Sequence, residues 1–270
     1  MDLDGVGSPA ALAAKIHELL PDLPHAVPLE NLCGQLDVAS IEKVETSGFE
    51  AALVMDELKA AGAILLATGR QPERSRFSLA HELGHFLIPS HRPQPGHPFE
   101  CSYSDLHQRD TQSGDRHQRI EAEANRFAAH LLMPPHKVRA MIGRSQPDLQ
   151  AIVAMSREFH VSKEAMARTW LDQYREPAAV IIACKGKIER QYRNEDFPWL
   201  PSKNGDPLPP DSFVASCTVE AGTYTAIEDV EPDAWLTERD AKRVLALTEQ
   251  VRGQSDGYAM VLLLAEMDED

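Results

Sequence analysis

The sequence predicts an α+β fold in which a short sheet supports a helix that lies in the interior of the domain. Three observations lead there. Ala63-Ile64-Leu65-Leu66-Ala67-Thr68 is an apolar run of strand length, closed by turn and helix-start residues at Gly69, Gln71 and Pro72. The residues that follow carry Phe77, Ala80, Leu83, Gly84, Phe86 and Leu87 on nearly every face, as a buried helix does. Late in the chain, two strand-like runs at 179–184 and 187–192 flank Lys185-Gly186 as the arms of a hairpin. Strands segregated from helical stretches, without strict alternation, make an α+β class.

The elements follow in order. Leu12, Ile16, Leu19 and Leu20 recur at amphipathic spacing, so a helix is expected at about 9–20, with a short second one at about 28–36. Strands are expected near 38–44, 49–56 and 63–68. From His91 to His117 the chain changes character, with prolines at 93, 95 and 98, glycines at 96 and 114, and histidines at 91, 97, 107 and 117. This reads as a long loop whose histidines are solvated. A helix at about 118–132 is stopped by Met133-Pro134-Pro135. Residues 149–174 have the outline helix, tight turn, helix. Beyond 176 the hairpin, strands near 212–218, 223–228 and 258–265, and a helix around 238–250 suggest a small α+β module in which Trp199 and Trp235 serve as core or interface anchors. The expected division is 1–145, 146–175 and 176–270.

Composition narrows the class. A hydrophobic fraction of 43% and a charged fraction of 26% describe a globular protein, neither disordered nor fibrous. The start, Met1-Asp2-Leu3-Asp4, lacks the basic region of a secretory signal, and the most apolar late run, 259–265, is far too short to span a bilayer. A cytoplasmic protein without a membrane partner is expected. Cys33, Cys101, Cys184 and Cys217 show no paired spacing, so reduced thiols are expected; Cys101 alone falls where it could approach the site described next. The net charge is −15, and residues 195–270 hold 17 acidic and 5 basic side chains. Such a surface repels phosphates and disfavours direct nucleic-acid binding.

The chemistry concentrates in His81-Glu82-Leu83-Gly84-His85. Residues i and i+4 share a helix face, so His81 and His85 can grip one metal ion. Glu82 is offset to the side, where its carboxylate can reach a water at the metal and serve as a general base without becoming a ligand. The strand at 63–68 is then the candidate edge along which an extended peptide could pair. A catalytic zinc takes three protein ligands, and Glu121 on the next long helix is the candidate third. Glu121, Ala124, Asn125, Ala128 and Leu132 share one stripe, whose small residues permit close approach to another helix. Asn125, one turn on from Glu121, can fix a ligand histidine from behind. Glu123 lies about 200° round the helix from Glu121, so only one of the two can face the metal. His117 and His160 are candidates for stabilising an oxyanion.

Arg76-Phe77-Ser78-Leu79-Ala80 before the motif, with Glu121 to Asn125, Phe127-Ala128-Ala129 and Leu131-Leu132-Met133-Pro134 after it, resembles the ImmA/IrrE family of zinc metallopeptidases. The resemblance spans about 10–175 and is weak after 176. It implies a gluzincin-like zinc metallopeptidase domain over 1–145 with a helix-turn-helix-like extension at 146–175. It also implies Zn2+ held by His81, His85 and Glu121, Glu82 as catalytic base and Asn125 behind the ligands. The activity it implies is site-specific cleavage of a cytosolic helix-turn-helix repressor, relieving repression in a stress response or in mobile-element control. A non-proteolytic antirepressor using the same fold is the alternative. In the 149–174 segment only Lys163 and Arg168 of the second helix offer cations to phosphates, which favours a packing or repressor-docking unit over a DNA reader.

Overall fold

In the first sheet the strands run β1 (Val38–Val44), β3 (Gly62–Ala67), β2 (Ala51–Met55), β4 (Phe99–Cys101). β1 lies parallel to β3, while β2 is antiparallel to both β3 and β4. The run expected at the sheet edge, 63–68, is therefore interior, because β1 takes one of its edges and β2 the other. Pairing order is a tertiary matter on which a strand's own apolar pattern is silent. Among the described residues the edges are β1 and β4.

The computed structural model describes residues 3, 5–55, 58–92, 99–102, 105–107 and 115–268, with backbone alone at 99–101 and 107. These residues form two compact units, one of 1–137 with 157–162 and one of 138–156 with 163–270. His97 and the side chains of Cys101 and His107 lie outside the described residues.

The first unit opens with helices α1 (Pro9–Leu19) and α2 (Leu29–Gln35) and is centred on α3 (Pro72–Leu87) and α4 (Arg116–Leu132). Gly69 turns the chain at φ 76 and Pro72 opens α3, where its missing N–H costs nothing. Glu50, at the foot of β2, accepts from Arg70 Nε at 3.0 Å and pairs with Arg74 Nε at 2.9 Å, tying the sheet to the start of α3. At the other end Lys59 Nζ donates to the carbonyls of His85 (2.9 Å) and Ile88 (2.6 Å), which satisfies C-terminal carbonyls and opposes the helix dipole. Every side chain from Ser78 to Phe86 is buried.

Helix α4 starts with Asp115, whose carboxylate accepts from the His117 N–H at 2.8 Å. It packs closely against α3, as its alanine stripe predicts. A Cβ added to Gly84 would stand 2.9 Å from Phe127 Cδ1 and 3.4 Å from Ala124 Cα. On its far side, α1 reaches α4 through His17, whose Nε2 lies 2.8 Å from the Leu131 carbonyl. A short helix α5 (Pro135–Ile142) follows α4 and was not expected from the sequence.

Helices α6 (Leu149–Glu158) and α7 (Lys163–Gln173) form the expected helix, turn, helix, with His160 in the turn at φ 52. In the second unit a five-stranded antiparallel sheet runs β6 (Lys187–Arg193), β5 (Ala178–Cys184), β9 (Tyr258–Met267), β8 (Val244–Gly253), β7 (Glu228–Val230). The β5–β6 hairpin turns on Lys185 (φ 49) and Gly186 (φ 79), both left-handed as a two-residue turn requires. Trp235 is buried in the core with Phe197, Val261 and Leu263. Several expectations for this region fail. The helix expected at 238–250 is a four-residue helix α9 (Glu238–Ala241) followed by β8, because pairing with β7 and β9 overrides the helix propensity of Leu, Ala, Glu and Gln. The strand expected at 212–218 is a short helix α8 (Phe213–Ser216). Around 223–228 there is one bridge, Tyr224 to Arg252, before β7 begins. Buried Glu249 on β8 explains α8: its carboxylate accepts from the N–H groups of Phe213 (3.1 Å) and Val214 (2.7 Å) and from Trp235 Nε1 (2.8 Å). Trp199 is 64% exposed, with the Arg193 guanidinium 5.5 Å from its ring centre, so it is no core anchor.

Candidate metal centre

One turn of α3 and one turn of α4 face each other in the first unit and bring His81, His85 and Glu121 together, all three buried. His81 Nε2 lies 3.0 Å from His85 Nε2 and 3.1 Å from Glu121 Oε2, and His85 Nε2 lies 3.5 Å from Glu121 Oε1. Ligands on a tetrahedral zinc at bond lengths of about 2.0–2.1 Å stand about 3.3 Å apart, so this triangle has the right size.

Proton placement strengthens that reading. Asn125 Nδ2 donates to the Asp105 carbonyl at 2.6 Å, which leaves Asn125 Oδ1 facing His81 Nδ1 at 2.9 Å as an acceptor. His81 therefore carries its proton on Nδ1 and presents a lone pair at Nε2. On the other histidine, His85 Nδ1 stands 3.0 Å from His91 Nδ1. Burial pushes the His85 imidazole down to about 4 against the opposing pull of its contact with Glu121, so it is neutral near pH 7. Burial raises the Glu121 carboxyl, but the contacts with His81 and His85 outweigh it and hold the group well below the usual carboxylate range. Acceptor atoms thus converge at contact distance in a dry site, an arrangement that a cation resolves.

Glu82 is fully buried beside the triangle, and among the described residues neither of its carboxylate oxygens has a hydrogen-bond partner. Burial pushes its carboxyl up to about 8, opposed by the His81 imidazole and reinforced by Glu121 and Asp105. A cation held in the triangle would favour its ionised form, and a carboxylate with both oxygens unpartnered among the described residues can then accept a proton.

The comparisons with known proteins bear on the same residues. Residues 42–171 match the IrrE N-terminal-like domain of metallopeptidases. Over these residues the chain carries a domain like that of the ImmA/IrrE family. It is 30% identical over 134 residues to the radiation response metalloprotease IrrE of Deinococcus radiodurans, a match covering 49% of this chain and 38% of that protein. With the IrrE metalloprotease of Deinococcus deserti it is 37% identical over 100 residues, 37% of this chain and 32% of the relative. The match thus spans about a third of the length of each relative. In fold it is similar to a Mycobacterium tuberculosis transcriptional regulator, with a TM-score of 0.53 at 15% identity over 95% of this chain and 76% of that one.

Within this ImmA/IrrE domain the structure also places residues that sequence reasoning missed. His91, expected as a solvated loop histidine, is fully buried, and its Nε2 lies 2.9 Å from Glu123 Oε2. The spacing carried a faint signal: His91 follows His85 by six residues, just past the end of α3, where the chain can fold back on its own helix. Glu123 turns away from the triangle, as its angular offset from Glu121 predicts. Of the two oxyanion candidates, His117 sits at the rim, with Nδ1 3.7 Å from Glu121 Oε1 and its ring 63% exposed. His160 is exposed and meets the α3 side through its carbonyl, which accepts from Arg76 Nε at 3.3 Å.

Proposed function

We propose that this chain is a zinc-dependent endopeptidase whose substrate is a helix-turn-helix transcriptional repressor, and that cleavage relieves repression in a stress response or in mobile-element control. The carrying observation is the buried His81–His85–Glu121 triangle with the carboxylate of Glu82 beside it, unpartnered among the described residues. The ligand set and its spacing fit zinc in a gluzincin-like domain.

Bound there, zinc would act as a Lewis acid on the scissile carbonyl and lower the pKa of a water towards neutrality. His81 and His85 offer Nε2 lone pairs and Glu121 its two oxygens. Asn125 keeps the His81 ring in the required tautomer. With a cation beside it favouring the ionised form, Glu82 would take the proton of the attacking water and return it to the nitrogen of the leaving amine, so that one amide C–N bond is exchanged for an acid and an amine. Dry walls around Glu82 keep bulk water from competing for that proton. His117, at the rim with Nδ1 3.7 Å from Glu121 Oε1, is the candidate donor to the carbonyl oxygen as charge develops there.

The repressor as substrate comes from the family resemblance and from the acidic surface, which suits a basic protein partner better than DNA. Arg168, one of the two cations of α7, lies over the Tyr192 ring at 5.1 Å, so it is engaged within its own unit. No helix among the described residues is long and apolar enough to cross a membrane, which fits the proposed cytoplasmic site of action. Incubating zinc-loaded protein with a helix-turn-helix repressor encoded beside it tests the reading. Two discrete fragments, absent with Glu82→Gln, are expected; a stable uncut complex would instead establish an antirepressor.

A further inference from the structure

Behind His85 the structure holds a second chain of hydrogen bonds that the hydrolytic mechanism does not use. His91 Nδ1 lies 3.0 Å from His85 Nδ1, and His91 Nε2 lies 2.9 Å from Glu123 Oε2. The His91 ring is fully buried and uses both of its nitrogens, while the Glu123 side chain stays 24% exposed.

The direction of this chain follows from inventory alone. A carboxylate only accepts, so the link to Glu123 requires a proton on His91 Nε2. A neutral imidazole carries one proton, so His91 Nδ1 is a lone pair and can only accept. The proton between the two rings therefore sits on His85 Nδ1, so His85 Nε2 presents its lone pair towards His81 and Glu121.

We propose that His91 and Glu123 are positioning residues that lock the tautomer and ring orientation of His85 for metal binding, as Asn125 and the Asp105 carbonyl do for His81. This rests on reading His81, His85 and Glu121 as a metal centre. Helix α4 then supplies a ligand at 121 and an orienter for each histidine at 123 and 125. The His91 ring bridges the gap because Glu123, two residues from Glu121, points to the side of the helix where the chain returns after α3. The His91 N–H donates to the Ile88 carbonyl at 3.1 Å, and this turn fixes where the ring stands.

The test is zinc affinity of the full chain, measured by competition with a chromophoric chelator, together with the visible spectrum of the cobalt-substituted protein. His91→Leu removes the acceptor and is expected to weaken zinc binding ~10–100-fold and to alter the cobalt spectrum. His91→Asn returns an oxygen to the position of Nδ1 and is expected to recover most of the affinity, which a merely space-filling role would not require. Glu123→Ala breaks only the outer link at a partly exposed position; it is expected to weaken binding less than His91→Leu, and it decides the matter if His91→Leu fails to fold. His81→Ala is the control for the centre itself. Loss of metal with His81→Ala but wild-type affinity in both His91→Leu and Glu123→Ala overturns the relay and leaves the metal centre standing. Wild-type affinity in His81→Ala overturns the centre, and the relay with it.

Discussion

Replacing Glu82 with glutamine separates the carboxylate's catalytic role from its cost to the fold. Its carboxyl is raised by burial from an ordinary 4.5 to about 8. A raised carboxyl contributes stability that is fully present below the unfolded value and is lost as pH rises through the folded one. Between pH 4.5 and 8 the unfolded chain ionises at this position while the folded chain holds its proton, at a cost of about 1.4 kcal/mol for each pH unit. At pH 7 the burial of Glu82 should therefore cost the metal-free protein about 3 kcal/mol. Glutamine cannot ionise. Urea denaturation of the chelator-treated proteins should give matching stabilities near pH 4.5 and a gap in favour of Glu82→Gln that widens to pH 8. Glu121 titrates on the acid side in both proteins and cancels in the difference. A gap that does not change with pH, or a wild-type protein that is the more stable at pH 8, would refute the reasoning. The zinc-loaded variant should keep its metal and lose ~10²–10⁴-fold or more in cleavage.

Other perturbations probe the scaffold and the ligands. His81→Ala and Glu121→Ala should each leave the protein far below one zinc per chain after dialysis, measured by elemental analysis, and Glu121→Ala must cost more metal than Glu123→Ala. Gly84→Ala places a methyl against the buried Phe127 ring. Overpacking of about 1–3 kcal/mol should exceed the helix-propensity gain of about 1 kcal/mol, lowering stability to urea and weakening zinc binding as α4 is pushed away from α3. Glu249→Leu strips the acceptor from two backbone N–H groups and the Trp235 indole. A loss on the order of 3 kcal/mol or more is expected in denaturation of the second unit, with Glu249→Gln losing less; an unchanged midpoint for Glu249→Leu would remove this carboxylate from the account of the fold.

Legibility followed the range of the interactions. The helices at 9–19, 72–87 and 116–132 and the strands at 38–44 and 62–67 announce themselves through periodicity, caps and prolines, which act within a few residues. The 244–253 segment did not, because its strand state comes from neighbours on both sides and its composition favours helix. Nor could the position of β3 within its sheet be read, since that depends on which strand β1 chooses. In the site, His81, Glu82 and His85 were legible as one helix turn. Glu121 and Asn125 needed the added demand for a third ligand and a support.

What the sequence determined by itself is the pair of helical faces: two histidines four apart with an acid beside them, and a carboxylate and an amide four apart on an alanine stripe. Helical geometry dictates those faces without reference to the rest of the chain. Only the tertiary structure decided that they meet, through Gly84 set against Phe127 and Ala124, at the separation a tetrahedral ion requires. It alone buried Glu82 with no partner among the described residues and drew His91 from an expected solvated loop to the back of His85. Burial and proton placement belong to the packed neighbours of a residue, and those come from distant parts of the chain.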